Sequence, residues 1–271
     1  MPDTTIPEIG LGTWQNDDPQ QCADTVQAAL ELGYRHVDTA HFYENESAVG
    51  DGIAAANVDR DDIVVASKVH AQKMGLDYDG VIEGAEASCD RLGVEYLDIL
   101  YVHWPVLEYD AEETLAAFER LQETGLIDQI GLSNYTIELL AEAREVLGEF
   151  PFVHQGEMHP LLHRDDAVDH AQEHDYWFVA YSPLARGDVF DVAEVKEVAE
   201  KHDASPAQVS LAWSLSKENV RVIPKATSEP HLRDNLGATD LELDAEDIEK
   251  IDGIERERRY VERDDSPWLV D

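Results

Sequence analysis

The sequence has little positive charge and no long apolar run. Lys and Arg together number 20 against 59 Asp and Glu, which gives a formal net charge of −39. So strong a negative charge argues against nucleic acid and anionic membranes as partners, because both would repel the protein. No run of about 18 apolar residues occurs, so no membrane-spanning helix is expected. The first residues lack the basic and apolar regions of a signal peptide, and we expect a cytoplasmic protein.

Cysteine is almost absent. The two residues, Cys22 and Cys89, are too few for a disulfide framework and match no CxxC spacing. Both lie in helix-like stretches, where a thiol behaves as a small apolar side chain. We expect both to be core residues of a protein that works in a reducing compartment.

Common nucleotide and metal motifs are missing as well. Gly10–Gly12 is not a dinucleotide fingerprint, because Gln15 stands where the third glycine would be. There is no P-loop and no HExxH motif. Two pairs of histidines have the i, i+4 spacing of metal ligands, but neither has an evident third ligand, so we expect no metal site. These pairs are His159 with His163 and His170 with His174.

The acidic residues are spread along the whole chain and do not gather in a tail. In dilute buffer this much like charge opposes compaction. At molar salt the Debye length falls to about 3 Å, and the repulsion is largely screened. We interpret the composition as adaptation to a salt-loaded cytoplasm, and it resembles that of the acidic, haloarchaeal type of protein.

Short runs rich in β-branched residues alternate with longer amphipathic runs, a pattern typical of βα units and a parallel sheet. Eight strands are predicted, near Glu8–Gly12, Arg35–Thr39, Ile63–Val69, Leu97–His103, Gln129–Ser133, Val153–Glu157, Trp177–Ser182 and Val220–Pro224. Helices are predicted at Gln20–Leu32, Glu46–Asn57, Asp79–Leu92, Ala111–Thr124, Ile137–Leu147, Asp165–His174, Val192–Lys201 and Pro206–Ser216. With 43% hydrophobic residues and no linker or repeat, residues 1–271 are predicted to form a single-domain α/β fold, a (β/α)8 TIM barrel. The charged stretch 255–271 has no clear period, and we expect a loop that folds over one face.

Four polar side chains stand at or just after the ends of successive strand-like runs. Asp38, Lys68 and His103 close three of these runs, and Tyr43 follows in the loop after Asp38. Barrels of this kind carry their active site at the carboxyl ends of the strands. Alternation along a strand is consistent with inward-facing side chains at these positions. Any one alone could be an ordinary strand-end polar group, but the four together favour one site suited to moving a proton.

The chemistry of these residues can be read from their types. A buried lysine needs a paired charge, and Asp38 is the natural partner of Lys68. An ammonium beside a phenol should lower the pKa of Tyr43, which could then act as a general acid near neutral pH. His103 could hydrogen-bond a substrate oxygen. Because the four residues include no nucleophile, a hydride would have to come from a cofactor.

Several segments of the sequence resemble those of aldo-keto reductases, in the family's order and over nearly the whole chain. These segments are Ile9–Trp14, Gly33–Ala40, Tyr43–Glu46, Ser67–Lys68, His103–Pro105, Gly131–Tyr135, Tyr181–Leu184 and Val222–Lys225. The compact length is most similar to that of prokaryotic members such as the 2,5-diketogluconate reductases.

The resemblance implies an NAD(P)H-dependent enzyme that reduces the carbonyl of a small-molecule aldehyde or ketone to an alcohol. The implied catalytic residues are Asp38, Tyr43, Lys68 and His103, with Tyr43 as proton donor. The implied cofactor contacts are Gly12, Thr13, Asp38, Ser133, Asn134, Gln155, Tyr181, Ser182, Leu184, Lys225, His231 and Asn235, with Arg186 or Gly187 as further candidates. The implied substrate pocket is made of Trp14, Phe42, His103, Trp104 and Trp268, although the tryptophans would also suit core or lid packing. A monomer is expected.

The sequence departs from the family pattern at the adenosine end of the cofactor. Lys225 is followed by Ala226 where the family usually has serine, and His231 stands where it usually has arginine. A hydroxyl and a guanidinium fork for the 2′-phosphate of NADP are therefore missing. Arg233 is near in sequence, but its spacing does not fit the pattern. We still expect NADP(H) as the cofactor, with a weakened preference and measurable affinity for NAD(H).

Two other functions compete with the reductase. The first is a cofactor-binding, redox-sensing regulatory subunit with little turnover, which the intact set of four polar residues disfavours. The second is a metal-dependent barrel hydrolase, in which Lys68 and Tyr43 would have no obvious role.

Overall fold

The computed structural model describes residues 5–269 and contains eight parallel strands that pair in sequence order. The strands are β1 (Leu11–Gly12), β2 (His36–Asp38), β3 (Val64–Val69), β4 (Leu97–Val102), β5 (Ile127–Ser133), β6 (Val153–Glu157), β7 (Trp177–Tyr181) and β8 (Val220–Val222). Gly10 and Gly12 donate backbone hydrogen bonds to Val222 and Pro224, at 2.8 and 3.1 Å, so the sheet closes on itself. The predicted (β/α)8 barrel is confirmed. Gly12 permits this closure, because a Cβ there would lie 2.6 Å from the Ile223 carbonyl oxygen.

Helices connect the strands around the outside. They are α1 (Pro19–Leu32), α2 (Glu46–Ala55), α3 (Tyr78–Leu92), α4 (Ala111–Thr124), α5 (Ile137–Leu147), α6 (Asp165–Glu173), α7 (Ala193–His202), α8 (Pro206–Leu215), α9 (Glu229–Leu236) and α10 (Ala245–Asp252). Their ends follow local sequence signals: Asp18, Asp77 and Asp110 accept hydrogen bonds of 2.8–3.0 Å from first-turn backbone N–H groups. Four helices end at a glycine with positive φ, as expected for C-caps. These residues are Gly33, Gly93, Gly125 and Gly148.

The short helices α9 and α10 were not predicted. Helix α10 begins at a capping box in which Asp244 and Asp247 bond each other's backbone N–H groups. Asp247 also accepts hydrogen bonds from Lys201 Nζ at 2.8 Å and His202 Nε2 at 2.7 Å. These contacts tie α10 to the end of α7, so long-range polar contacts support a helix too short for periodicity to reveal.

The core has two layers. The larger lies between the outward faces of the strands and the helices and includes Cys22 and Cys89, which are 0% and 5% exposed. Burial raises the pKa of both thiols to about 11, so both are small core residues as expected. The smaller layer fills the barrel interior, as inward-facing residues of alternating strands do in this fold. It consists of Ile6, Ala66, Ile99, Tyr101, Val153, Trp177, Val179 and Ile223.

The tail after α10 lies across the carboxyl ends of the strands as an irregular segment with one short 3-10 turn, Pro267–Leu269. Its backbone N–H groups at Tyr260 and Val261 donate to the Glu157 carboxylate at the end of β6, at 2.7 and 2.9 Å. The expected loop over one face is confirmed, apart from residues 270 and 271, which lie outside the described residues. Among residues 5–269, no helix is both long and apolar enough to cross a bilayer.

Candidate active site

A buried ion pair forms the base of the candidate site. Asp38 ends β2 and Lys68 is the next-to-last residue of β3, and their side chains are 2% and 0% exposed. Lys68 Nζ donates to Asp38 Oδ1 and to the Thr39 carbonyl, the latter at 2.8 Å. Gln155 Nε2 donates to the other carboxylate oxygen of Asp38 at 2.9 Å. The predicted pairing of Asp38 with Lys68 is confirmed, and it compensates the cost of burying the lysine.

Tyr43 lies above this pair, with its ring centroid 5.2 Å from Lys68 Nζ. Burial raises the pKa of Tyr43 well above its ordinary value, and the nearby Asp38 carboxylate raises it further. The expected lowering of this pKa is therefore wrong for the protein as described. Because Lys68 is already paired with Asp38, its charge does not act on the phenol alone. The phenol is held protonated, which is the form that can donate.

The loop that carries Tyr43 is fixed by the two residues that follow Glu44. Asn45 Nδ2 donates to the Thr13 carbonyl at 2.9 Å, which joins the loops after β1 and β2. The Glu46 carboxylate is 1% exposed and accepts from Ser67 Oγ on β3 and from the Arg91 side chain. The sequence run from Tyr43 to Glu46 therefore positions the phenol.

His103 follows β4 and faces the same space. Its ring lies edge-on to the Tyr43 ring, with 5.6 Å between centroids. Burial, and after it the positive charge of Lys68, lower the pKa of His103 well below its ordinary value. A neutral imidazole can donate one hydrogen bond but is a poor proton source, so of these two side chains Tyr43 is the better candidate acid.

Asp38, Tyr43 and His103 line a cleft of about 270 Å³ at the carboxyl end of the barrel, while Lys68, which is 0% exposed, does not. The structure brings most of the predicted site residues to its wall. Those that line it are Gly12, Thr13, Trp14, Asp38, Phe42, Tyr43, His103, Trp104, Ser133, Asn134, Gln155, Tyr181, Ser182 and Lys225. Arg186, a further candidate, also lines it, and its guanidinium lies 4.6 Å from the centroid of the Trp14 ring.

Asn134 is held by hydrogen bonds within the site. Its φ is +64°, and Nδ2 donates to the His103 carbonyl at 2.9 Å and to Ser133 Oγ at 3.1 Å. Tyr181 OH donates to Asn134 Oδ1 at 2.7 Å. Ser133, Asn134 and Tyr181 join the ends of β5 and β7 through these bonds, so this wall of the cleft is preorganised.

Five residues predicted for the site do not line the cleft, and the first is Lys68, which is fully buried beside Asp38. Leu184 packs against the core, while His231 and Asn235 lie on α9, exposed and buried respectively. Trp268 lies in a neighbouring groove, with its ring centroid 5.5 Å from that of Trp104. The structure therefore places Trp268 behind a pocket residue and not in the pocket wall. The roles of the two α9 residues at the far end of a cofactor remain predictions.

Sequence reasoning missed four residues of the cleft wall. They are His70, Ile223, Val261 and Arg263. The sequence did indicate His70, because it follows Lys68 by two positions and the alternation of side chains along a strand places both on the same face. No sequence pattern indicated Val261 and Arg263, since they reach the cleft only through the path of the tail.

The tail is anchored by a buried carboxylate. Glu157 accepts from the tail N–H groups and from His159 Nε2 at 3.1 Å. The Leu161 N–H donates to His159 Nδ1 at 3.2 Å, so the imidazole donates to Glu157 through Nε2. Glu157 thus fixes where Val261 and Arg263 enter the site.

The cleft residues fit a nicotinamide dinucleotide. Ser133 and Gln155 supply the hydroxyl and amide groups that a carboxamide requires, and Tyr181 supplies a flat aromatic ring. Arg186 and Lys225 place two positive charges in the cleft wall, although the net charge of the chain is −39. Two cations at this place suit the binding of a pyrophosphate. The donor set is therefore consistent with NAD(P)H.

Comparisons with known proteins show the family of this chain. The model of the Aldo/keto reductase family matches residues 8–256. The chain is 38% identical over 256 residues to an aldo-keto reductase of Mycolicibacterium smegmatis, covering 94% of this chain and 92% of the relative. It is 37% identical over 260 residues to methylglyoxal reductase DkgB of Salmonella typhi, covering 95% and 96%. A solved structure of a putative 2,5-diketo-D-gluconic acid reductase B matches with a TM-score of 0.89 at 27% identity, covering 96% of this chain and 92% of that one. The chain belongs to the aldo/keto reductase family.

Proposed function

We propose that this protein is an NAD(P)H-dependent carbonyl reductase for small dicarbonyls or sugar-derived aldehydes and ketones, with Tyr43 as its proton donor. The observation that carries the proposal is the buried Asp38–Lys68 pair beneath the Tyr43 phenol, whose ring lies edge-on to the His103 imidazole. The methylglyoxal reductase among its relatives supports the dicarbonyl class.

Each side chain of the site has a separate role in this proposal. A reduced nicotinamide held in the cleft would supply a hydride to the carbonyl carbon. His103 donates a hydrogen bond to the carbonyl oxygen and orients it toward Tyr43. As negative charge develops on that oxygen, Tyr43 transfers its proton, and the Lys68 ammonium stabilises the phenolate that forms. Lys68 therefore acts on the charge that appears during the reaction, not on the resting phenol.

Replacement of Tyr43 by phenylalanine tests the assignment. Because general acid catalysis contributes about 10²- to 10⁴-fold, we expect kcat to fall by at least about 100-fold. Binding of NADPH, followed by the quenching of protein fluorescence, should stay within about twofold of the wild type, which shows that the variant is folded. Tyr78→Phe, at a tyrosine that is 37% exposed on α3, is the matched control and should leave kcat unchanged. Full activity of Tyr43→Phe would contradict the proposal.

We further propose that the enzyme uses both NADPH and NADH. Ala226 provides no hydroxyl, and His231 replaces the guanidinium that would grip the 2′-phosphate. Arg233 is engaged elsewhere, because its Nε and Nη2 donate to Glu229 at 2.9 and 2.8 Å on the surface of α9. Initial rates with each cofactor should give KM values within about tenfold of each other. Saturation by NADPH with no turnover on NADH at millimolar concentration would contradict the proposed use of both cofactors.

The acidic composition leads us to propose a haloarchaeal-type protein that works as a monomer in a salt-loaded cytoplasm. A net charge of −39 requires screening that dilute buffer does not provide. Its melting temperature should rise as KCl is increased from 0.1 M to molar concentration, and light scattering in molar KCl should give the mass of one chain. A melting temperature that does not change with KCl would contradict the salt adaptation.

A further inference from the structure

A guanidinium from the tail lies in the cleft and keeps one nitrogen free of its ion pair. Arg263 donates to Asp265 through Nε and Nη2, at 2.9 and 3.1 Å, so that Nη1 remains beside His70. The guanidinium carbon is 5.4 Å from the centroid of the Trp104 ring. The Arg263 backbone N–H donates to the buried Ser266 hydroxyl at 2.8 Å. The arginine is thus held by contacts that do not use Nη1.

His70 presents a second donor at the same place. The Gln72 backbone N–H donates to His70 Nδ1 at 3.1 Å, which leaves the imidazole proton on Nε2. Nε2 lies 3.1 Å from Arg263 Nη1, and a guanidinium nitrogen carries only donors. Two donors therefore meet at one edge of the cleft, and an oxygen beside them would accept from both.

The charge at this edge comes from the arginine. His70 is 2% exposed, and burial together with Arg263 lowers its pKa to about 4. The imidazole is consequently neutral near pH 7. The Arg263 side chain is 27% exposed, so an ion pair there is screened less than one on the open surface.

This edge of the cleft lies next to His103, which is proposed to bind the carbonyl oxygen. The centroids of His70 and His103 are 5.4 Å apart, and both side chains line the cleft. Phe42 packs against His70 with 4.7 Å between centroids and closes the side of this space. A carbonyl at His103 and an anionic group at Arg263 could therefore belong to one small molecule, separated by about two or three carbon atoms.

We propose that Arg263 and His70 form a binding site for a carboxylate of the substrate, so that the enzyme prefers oxo acids to uncharged aldehydes. This inference rests on the proposed reductase function and names its substrate class. A carboxylate would take charge-assisted hydrogen bonds from Nη1 and Nε2, which are stronger than bonds between neutral groups.

A matched pair of substrates tests the site. The compounds 4-oxobutanoate and methyl 4-oxobutanoate share a chain and an aldehyde and differ in the negative charge. For the wild type in molar KCl, we expect kcat/KM to be at least about tenfold higher for the acid than for the ester. In Arg263→Gln the value for the acid should fall about 30-fold, or about 2 kcal/mol, while the ester changes by less than about twofold. Arg263→Lys keeps the charge without the fork and should recover part of the loss.

Arg256→Gln is the control on the same tail, because Arg256 also pairs with a carboxylate, Glu194, but outside the cleft. This variant should leave kcat/KM unchanged for both the acid and the ester. An equal fall for acid and ester in Arg263→Gln would show a structural effect and overturn the inference. Equal wild-type rates on both compounds, unchanged in Arg263→Gln, would also overturn it and leave the reductase proposal standing. If the wild type reduced no carbonyl compound with either cofactor, the reductase proposal itself would fail.

Discussion

Removal of the buried lysine is the sharpest test of how the site is held together. In Lys68→Met the stem of the side chain is retained and its charge is lost, while Asp38 stays 2% exposed with Gln155 as a remaining hydrogen-bond donor. An uncompensated charge in such a place costs about 3–5 kcal/mol. We therefore expect the free energy of unfolding to fall by about that amount.

The double variant Lys68→Met/Asp38→Asn separates charge from packing. It removes both charges, and the asparagine carbonyl can still accept from Gln155, so we expect about half or more of the lost stability to return. Arg120→Gln is the surface control, because the Arg120–Glu123 pair is 55% and 69% exposed and should contribute less than about 1 kcal/mol.

Equilibrium unfolding by urea, followed by the circular dichroism of the helices, measures these differences. Urea is preferable to guanidinium chloride because a denaturing salt would also change the screening of a chain with net charge −39. A loss of less than about 1 kcal/mol in Lys68→Met would refute the reasoning. A double variant as unstable as the single one would refute it as well, since the cost would then not lie in the unpaired charge.

Three further predictions concern the tail, the cofactor and acid stability. Glu157→Gln weakens the hold on the tail, so KM for the carbonyl should rise about fivefold with kcat nearly unchanged; an equal change in both would contradict this role. His231→Arg supplies a guanidinium, and KM for NADPH should fall about tenfold while KM for NADH stays constant, in the least KCl that keeps the protein folded; an unchanged NADPH value would contradict it. Burial opposes the charge of Asp247, but hydrogen bonds from Lys201 and His202 hold its pKa at about 2. The unfolded state therefore binds more protons between about pH 4 and about pH 2, and stability falls as pH falls through that window. Asp247→Asn should lose less stability than the wild type between about pH 7 and about pH 3 in urea titrations; an identical loss would contradict this assignment.

The barrel and the centre of the site were predictable because local patterns encode them. Strand alternation fixes both the sheet and the direction of side chains such as Lys68, and the strand ends of a parallel barrel necessarily meet. The same rule covers His70, which was overlooked although it follows Lys68 by two positions.

The rest depends on contacts between residues far apart in the sequence. Arg263 reaches His70 only because Glu157 holds the tail more than 100 positions downstream, and no period in the tail indicates this path. The direction of the Tyr43 pKa was also beyond a list of neighbours, because it depends on burial and on the prior pairing of Lys68 with Asp38. Charges that neutralise each other look the same in sequence as charges that act alone.

The placement of the positive charges connects the acidic surface with the site. The chain has 20 Lys and Arg against 59 acids, yet Arg186, Lys225 and Arg263 all line one cleft. In dilute buffer the surface would repel both an anionic cofactor and an oxo acid. At molar salt a screening length of about 3 Å removes that repulsion, while hydrogen-bonded ion pairs of similar length inside the cleft are screened much less. In the salt-loaded cytoplasm proposed above, recognition of anions would therefore depend on direct contacts within the cleft.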